Sequence, residues 1–245
     1  MAAGPEETPP GSLEKGLIYL VRARIRDPGV SRGDLKGVLS RGELDRAARF
    51  RFEDDRLRSH VGWGLLRLFL GRVLDRDPAS FRFVRNEFEK PLLEGGPSFN
   101  LAHSGAWVLV GVVAEGRLGV DVESLRPIKD LTSLAKTVFS PDELDEFKTY
   151  PQAERVEAFY RGWTRKEAFL KAVGGGLRIP LKDVSVSLEQ GECDALRRVS
   201  YPSEREVGWW VRSLPALPGA EAALAWDRPW GGTRWIDPAH LRPRT

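Results

Sequence analysis

Four side chains in the stretch FYRGWTRKEAFLKAVGGGL recur at intervals of four residues, which places them on one face of a predicted helix. They are Phe159, Trp163, Glu167 and Lys171. As an exposed pair, Glu167 and Lys171 would stabilise the helix by only ~0.3–0.5 kcal/mol and have no function. The two aromatic residues favour a buried stripe instead, and buried charges need partners. A carboxylate and an ammonium at its inner end would suit a metal ion and a phosphate.

A second pair of carboxylates lies in the segment RLGVDVE, which reads as a β-strand. Side chains alternate along a strand, so Gly119, Asp121 and Glu123 share one face. Two carboxylates beside a residue without a side chain could provide oxygen ligands for Mg²⁺. The alternative at this point is a strand face that is simply exposed to solvent.

Three further short motifs could line a ligand. His103 and Ser104 in FNLAHSGAWVLV are expected in the turn that enters a strand, where loop positions favour binding. Lys90 and Pro91 in FEKP by themselves indicate only a turn. Gly174–Gly176 should end the helix and let backbone approach a ligand closely, although a run of glycines alone does not specify a site.

The elements that carry these residues are related by an internal repeat with an offset of 100 residues. Both copies begin with a capping box, Ser40 with Glu43 and Ser140 with Glu143, and continue into an apolar helix that contains a Gly-Trp pair. The copies differ at polar positions, since the second has Glu167 where the first has Arg67. The identities at this offset are Ser40, Glu43, Leu44, Asp45, Gly62, Trp63, Phe69, Leu70 and Val73.

Strand signals accompany each helical block. The segments 107–113 and 117–123 are expected to form a hairpin, and the other predicted strands are 17–25, 80–84, 184–189, 207–214 and 222–226. We therefore predict an α+β fold with two similar lobes related by pseudo-two-fold symmetry and an active site at the lobe interface. The predicted divisions are a disordered tail at 1–12 and lobes at 13–125 and 126–245.

Composition restricts the classes of function. The chain of 245 residues has a net charge of +3 and a pI near 9.1, which suits an anionic partner without requiring nucleic acid. No window approaches the ~18 apolar residues of a membrane helix, and the N-terminus has no signal-peptide pattern, so we expect a cytoplasmic protein. Cys193 is the only cysteine, which excludes an internal disulfide.

Taken in order, FEKP, FNLAHSG, GVDVE and WTRKEAFLKAVGGGL resemble the 4′-phosphopantetheinyl transferases of the surfactin-synthetase-activating type. The resemblance is strong over residues 88–188 and weaker over 46–67. It implies two similar lobes with the site between them. It also implies an enzyme that moves the phosphopantetheine arm of coenzyme A to a serine of an apo acyl or peptidyl carrier protein and releases 3′,5′-ADP.

The resemblance also implies roles for the acidic and basic residues of the second lobe. Asp121, Glu123 and Glu167 would hold Mg²⁺, with Mn²⁺ as the alternative, against the pyrophosphate of coenzyme A. Glu167 would in addition accept the proton of the serine. Lys171 would contact the pyrophosphate as a point charge.

Coenzyme A would also contact the first lobe and the segments around it. By the same resemblance, His103 and Ser104 would bind its 3′-phosphate, and Lys90 with Pro91 would form a wall beside the adenine. A further 3′-phosphate contact would come from Ser59, together with either Arg58 or Arg46.

Two positions depart from the pattern of the family. Ala102 stands where several relatives have serine, and Glu43 stands where a lysine that meets the 3′-phosphate is expected. Fewer basic contacts would weaken the affinity for coenzyme A without removing the chemistry. Two other functions stay open at this point, a non-catalytic module that binds coenzyme A and a Mg²⁺-dependent phosphohydrolase. We expect a monomer with carrier proteins as partners, and neither nucleic acid nor a membrane.

Overall fold

The computed structural model describes residues 7–174, 179–191, 194–205, 207–215 and 217–243. Two of the predicted helix-ending glycines, Gly175 and Gly176, and the single cysteine, Cys193, lie outside the described residues. The helices are α1 (Arg32–Gly37), α2 (Arg41–Ala48), α3 (Glu53–Leu74), α4 (Leu131–Val138), α5 (Pro141–Thr149) and α6 (Arg155–Val173). The strands are β1 (Ile18–Arg24), β2 (Val84–Arg85), β3 (Pro91–Leu92), β4 (Ser98–Ser104), β5 (Trp107–Val113), β6 (Leu118–Ser124), β7 (Val184–Val186), β8 (Leu196–Val199), β9 (Trp210–Ser213), β10 (Ala220–Trp226) and β11 (Thr233–Trp235).

The chain divides into two compact units, and both are discontinuous in sequence. The N-terminal unit contains described residues 7–86, 91–115 and 231–243, and the C-terminal unit contains 87–90 and the described residues from 116 to 230. The main division of the structure falls between Glu115 and Gly116, and the predicted lobe boundary between 125 and 126 lies ten residues further along the chain. Each unit has helices packed on an antiparallel or mixed sheet, which confirms the α+β class. The pseudo-two-fold symmetry stays a prediction.

The N-terminal unit is built on a sheet with the strand order β11-β1-β5-β4. β1 pairs antiparallel with β5 over seven residues, from Ile18 opposite Val113 to Arg24 opposite Trp107, and parallel with β11. α3 packs against this sheet, and the apolar residues of both form one core that includes Tyr19 and Phe69. The predicted strand 17–25 is confirmed.

The N-terminal segment predicted as a disordered tail is described by the structure from Glu7 onward. Glu7 donates its backbone N–H to the carbonyl of Trp235 at 2.7 Å and forms a parallel bridge with Ile236. Pro9 is buried. Residues 7–12 are therefore attached to the sheet through β11 and the segment after it, a contact between distant parts of the chain that composition does not reveal.

The C-terminal unit is built on a sheet with the order β6-β10-β9. β6 pairs antiparallel with β10 from Leu118 opposite Trp226 to Ser124 opposite Ala220. α6 lies across this sheet and contacts all of its strands. Gly174 ends α6 in the left-handed conformation with φ of 77°, as predicted for the first of the three glycines.

The predicted hairpin of 107–113 with 117–123 is wrong. Both segments are strands, but β5 pairs with β1 and β4, whereas β6 pairs with β10. Each of these pairings extends over seven residues, and strand signals identify extended segments without identifying their partners. The strands predicted at 184–189 and 207–214 are shorter in the structure. Of the segment predicted as a strand at 80–84, only Val84 lies in a strand, β2, and Ser80 is the last residue of a 3₁₀ turn, Pro78–Ser80.

The repeat is confirmed as a local structural repeat in the two units. Ser40 and Glu43 form a complete capping box at the start of α2, and Ser140 and Glu143 form the same box at the start of α5, where Pro141 is at the first position. Buried Glu43 also accepts hydrogen bonds from Arg67, with Nε 2.9 Å from Oε2. Glu43, at the position where a phosphate-binding lysine was expected, therefore has a structural role: it caps α2 and pairs with Arg67.

Candidate active site

Gly119 sets how closely β6 and α6 approach each other. A Cβ atom at this position would lie 2.0 Å from the carbonyl oxygen of Ala168 and 2.4 Å from the backbone nitrogen of Ala172. The face of β6 that carries Asp121 and Glu123 is consequently covered by α6. The alternative of a strand face open to solvent is excluded for Asp121, which is only 3% exposed.

Asp121 is the most buried acid of the predicted set, and it forms an ion pair with Lys171. Lys171 Nζ donates to Asp121 Oδ1 at 2.6 Å. The pKa of Asp121 is raised to about 7, mainly by burial and to a smaller extent by the charges of Glu123 and Glu167, while the charge and hydrogen bond of Lys171 oppose the shift. Among the described residues, the second oxygen, Oδ2, is buried and has no hydrogen-bond partner. This orphaned oxygen is suited to an additional cation.

Glu123 and Glu167 are close enough to Asp121 for their charges to affect it, although they come from different elements. Glu167 is half-buried on α6, and burial raises its pKa, with Lys171 opposing and Glu123 adding to the shift. Glu123 lies opposite Glu221 across β6 and β10. Glu221 has its own cation, since Arg161 Nη2 lies 3.4 Å from its Oε1. Lys171 is the cation that opposes the pKa shift of both Asp121 and Glu167.

The chemistry of these groups fits a hard divalent cation, which prefers carboxylate oxygens. Their mutual repulsion and the orphaned oxygen of Asp121 are both relieved by such an ion. In the described ranges, however, no three His, Cys, Asp or Glu side chains are already arranged around one point as a metal cage. Ligation of one ion by all three carboxylates therefore stays a prediction.

The ammonium of Lys90 is directed at backbone carbonyls, and the adenine wall of Lys90 with Pro91 stays a prediction. Its Nζ donates to the carbonyl oxygens of Leu118 at 3.1 Å, Lys171 at 2.5 Å and Ala172 at 3.1 Å. The first of these belongs to β6 and the other two to the last turn of α6. The pKa of Lys90 is lowered to about 8, mainly by burial and to a smaller extent by the charge of Arg117, while the charge of Asp227 opposes the shift.

In the N-terminal unit, one group of predicted phosphate ligands surrounds the turn between β4 and β5. His103 and Ser104 are the last two residues of β4 and pair with Val108 and Trp107 of β5. They were predicted in the turn itself, but the turn consists of the next two residues, 105 and 106. Arg58 Nε donates to the carbonyl of Gly105 in that turn at 2.8 Å. Ser59 follows Arg58 on α3 and is half-buried. Arg58, Ser59, His103 and Ser104 thus belong to one part of the unit.

Two other predicted residues, Arg46 and Pro91, line a separate cavity of about 310 Å³. None of Arg58, Ser59, His103 and Ser104 is among the described residues around it. The cavity has arginine and aromatic side chains in its walls, among them Arg46, Trp63, Arg82, Phe83 and Arg85, and Pro91 also lines it. Guanidinium groups and aromatic rings together suit a phosphorylated nucleotide.

Sequence reasoning did not identify Arg82, Arg85, Trp63 or Phe83 as possible ligand contacts. The alternation in FRFVR, which directs Phe81 inward and leaves Arg82 exposed, was a signal that could have found them. It also did not identify Gly119 as the contact between β6 and α6, although a glycine next to an acidic strand position was noticed. No helix in the described ranges has the length and apolar character that crossing a bilayer requires.

Two segments of the chain match known families. Residues 34–115 match the family described as 4′-phosphopantetheinyl transferase, N-terminal, and residues 117–215 match the 4′-phosphopantetheinyl transferase superfamily. The change from one to the other coincides with the main division of the structure between Glu115 and Gly116.

Individual relatives agree with these matches. The chain is 38% identical over 180 residues to the 4′-phosphopantetheinyl transferase HetI of Nostoc sp., covering 71% of this chain and 76% of the relative. It is 32% identical over 193 residues to the 4′-phosphopantetheinyl transferase Sfp of Bacillus subtilis strain 168, covering 78% and 83%. It is 30% identical over 197 residues to the 4′-phosphopantetheinyl transferase ffp of Bacillus subtilis, covering 80% and 85%.

The chain therefore belongs to the 4′-phosphopantetheinyl transferase superfamily. Within that superfamily it is of the Sfp-like type. The resemblance noted in the order of the short motifs is confirmed.

Proposed function

We propose that the protein transfers the 4′-phosphopantetheine arm of coenzyme A to a serine hydroxyl of an apo acyl or peptidyl carrier protein. The reaction forms a bond between the serine oxygen and the phosphorus attached to pantetheine. The bridging P–O bond on the far side breaks, and 3′,5′-ADP leaves. The observation that carries this proposal is the relationship to named 4′-phosphopantetheinyl transferases over more than two thirds of the chain.

The C-terminal unit would bind the pyrophosphate and remove the serine proton. Asp121, Glu123 and Glu167 would hold Mg²⁺, which when bound neutralises charge on the pyrophosphate oxygens and on the leaving group. Lys171 would direct its ammonium to the pyrophosphate, and its present contact with Asp121 keeps that ammonium beside the acids. Glu167 would accept the serine proton, a role supported by the raised pKa that its burial causes.

The N-terminal unit would bind the nucleotide end of coenzyme A. Arg46 lines the arginine-rich cavity, whereas His103 and Ser104 adjoin the turn held by Arg58. Both groups of residues are basic enough to bind the 3′-phosphate. Comparing coenzyme A with 3′-dephospho-coenzyme A as substrates distinguishes them. The variant that lacks the true phosphate contact should no longer discriminate between the two substrates, and we expect this of Arg46→Ala more than of His103→Ala.

The transfer itself is tested by incubating the protein with coenzyme A, Mg²⁺ and apo carriers of the fatty-acid, polyketide and nonribosomal-peptide classes. We expect the mass of at least one carrier to increase by one phosphopantetheine arm, with 3′,5′-ADP as the second product. Removing Mg²⁺ with EDTA should stop the reaction. A carrier that stays unmodified while 3′,5′-ADP appears would support a phosphohydrolase instead, and neither product would support a module that only binds coenzyme A.

The remaining expectations complete the proposal. We propose that the enzyme acts as a cytoplasmic monomer whose macromolecular partners are carrier proteins, without nucleic acid or membrane. The basic composition, with a net charge of +3, favours an acidic partner. Light scattering of the purified protein with and without an apo carrier measures both the monomeric state and the complex.

A further inference from the structure

Lys90 joins the two elements that carry the acidic residues of the candidate site. It reaches Leu118 O at the start of β6 and Lys171 O and Ala172 O at the end of α6. The last four carbonyl groups of a helix have no partner within the helix, so a cation at this end satisfies them and interacts favourably with the helix dipole. One ammonium group thereby fixes the final turn of α6 to the strand that bears Asp121.

The geometry of Lys90 leaves little capacity for a ligand. A lysine ammonium has three donor hydrogens, and three backbone carbonyls lie within hydrogen-bond distance of Nζ. The lowered pKa of Lys90 agrees with this position, because burial removes the ammonium from water. An ammonium that contacted a phosphate or a solvated adenine would need at least one of these hydrogens.

From this geometry we infer that Lys90 is a positioning residue for phosphopantetheine transfer, acting through β6 and α6 and not through contact with coenzyme A. The inference rests on the proposed function. Gly119 permits β6 and α6 to approach closely, and Lys90 fixes their relative position along the helix axis. The result is the alignment of Lys171 with Asp121 at 2.6 Å. A shift of about 1 Å between reacting groups can reduce a rate by about 100-fold.

The test compares Lys90→Met, which keeps the apolar stem but removes the donors, with Lys90→Arg, which retains donors. Lys129→Met is the matched control, because it makes the same change at an exposed position of the same unit. For Lys90→Met we expect kcat to fall by about 10- to 100-fold with less than a two-fold change in KM for coenzyme A. Lys90→Arg should recover part of kcat, and Lys129→Met should match the parent.

Hydrogen exchange supplies a readout that does not depend on activity. The amides of the last turn of α6, from Lys171 to Gly174, should exchange faster in Lys90→Met than in the parent and in Lys129→Met. If the parent enzyme transfers nothing, the proposed function fails, and this exchange measurement still tests whether Lys90 fixes the helix end. If Lys90→Met does not fold, Lys90→Gln, which keeps one donor group, should show a smaller change in the same direction.

Two results would overturn the inference. One is a large increase in KM for coenzyme A with kcat unchanged, which would place Lys90 in contact with the nucleotide. The other is unchanged exchange in the last turn of α6, which would show that the hydrogen bonds of Lys90 do not hold the helix end.

Discussion

Lys166 Nζ lies 2.6 Å from Glu143 Oε2, and both side chains are fully buried. In the first copy of the repeat the equivalent capping glutamate, Glu43, is held by Arg67, which corresponds to position 167. In the second copy the capping glutamate, Glu143, is therefore paired with Lys166, one residue before the position equivalent to Arg67. The residue at position 167 therefore does not have to pair with the capping glutamate. Glu167 instead interacts with Lys171 and Glu123. A shift of one residue along α6 separates the structural ion pair from the candidate catalytic carboxylate.

Removing the partner of Glu143 should destabilise the protein. Lys166→Met leaves a buried carboxylate without its cation, which typically costs about 3–5 kcal/mol of the free energy of unfolding. Urea unfolding gives the free energy of unfolding of Lys166→Met. The control is Lys182→Met, which makes the same change at an exposed position of the same unit. The double variant Lys166→Met/Glu143→Gln should recover part of the loss, because it no longer buries an unpaired charge. Equal stability of Lys166→Met and the control would contradict the finding.

Glu167→Ala should abolish transfer and leave the fold intact. Its carboxylate is destabilised by burial and by Glu123, so removing it relieves repulsion in the folded state. We expect kcat to fall by at least about 100-fold, as for the loss of a general base. Mass spectrometry of the carrier measures transfer, and circular dichroism measures the fold. Glu157→Ala, an exposed residue of the same helix, should retain full activity. Parental activity of Glu167→Ala would make the assignment of Glu167 wrong.

The metal-free protein should become less stable as the pH rises from about 4 to about 7. The folded pKa of Asp121 is about 7 and its ordinary value is 3.8, so the folded state binds the proton more tightly across this window. The free energy of unfolding therefore decreases with increasing pH until Asp121 is ionised in both states. Asp121→Asn removes this contribution. Urea titrations in EDTA at several pH values should show a downward slope for the parent relative to Asp121→Asn.

Addition of Mg²⁺ provides the complementary measurement for Asp121. At pH 8 the ion should stabilise the parent more than Asp121→Asn, because only the parent has the ionised carboxylate to ligate it. Parallel pH profiles, or equal stabilisation of both proteins by Mg²⁺, would show that Asp121 does not have the proposed properties.

Gly119→Ala should destabilise the C-terminal unit strongly. The added Cβ meets backbone atoms of Ala168 and Ala172, which cannot move aside as a flexible side chain can. We expect a loss of about 3 kcal/mol or more. Gly208→Ala is the matched control, because a Cβ at that position would meet no atom of the described residues within 4 Å. Thermal unfolding compares the two, and similar midpoints would mean that β6 and α6 are less closely packed than the structure indicates.

The extent to which sequence predicted this structure depends on the range of the interaction. The capping boxes at Ser40 and Ser140 were predicted correctly because their partners lie three residues away. The stripe from Phe159 to Lys171 was predicted because helical periodicity is local. The pairing of β6 was not predicted, because β10 lies about 100 residues further along the chain. The residue types of an apolar strand do not specify which strand it pairs with.

The candidate site shows the same limit. The identity and order of Asp121, Glu123, Glu167 and Lys171 were readable, because the motifs that contain them are short. The contacts of Lys90 could not be predicted, because its acceptors are backbone carbonyls up to 82 residues away. Every residue type has a backbone carbonyl, so the sequence does not show which of them accept a hydrogen bond. Glu43 was seen as a departure from the family pattern, and only its contact with Arg67 explains it.

The pairing of β11 with β1 has a consequence for biosynthesis. β11 is an edge strand of the N-terminal sheet and pairs in parallel with β1, the first strand in the chain. More than 200 residues separate these two strands. A ribosome must therefore translate more than 200 further residues before the first strand meets this neighbour. Until then the outer side of β1 stays open to chaperones or to other nascent chains, and a product that stops short of Thr233 would keep that side unpaired.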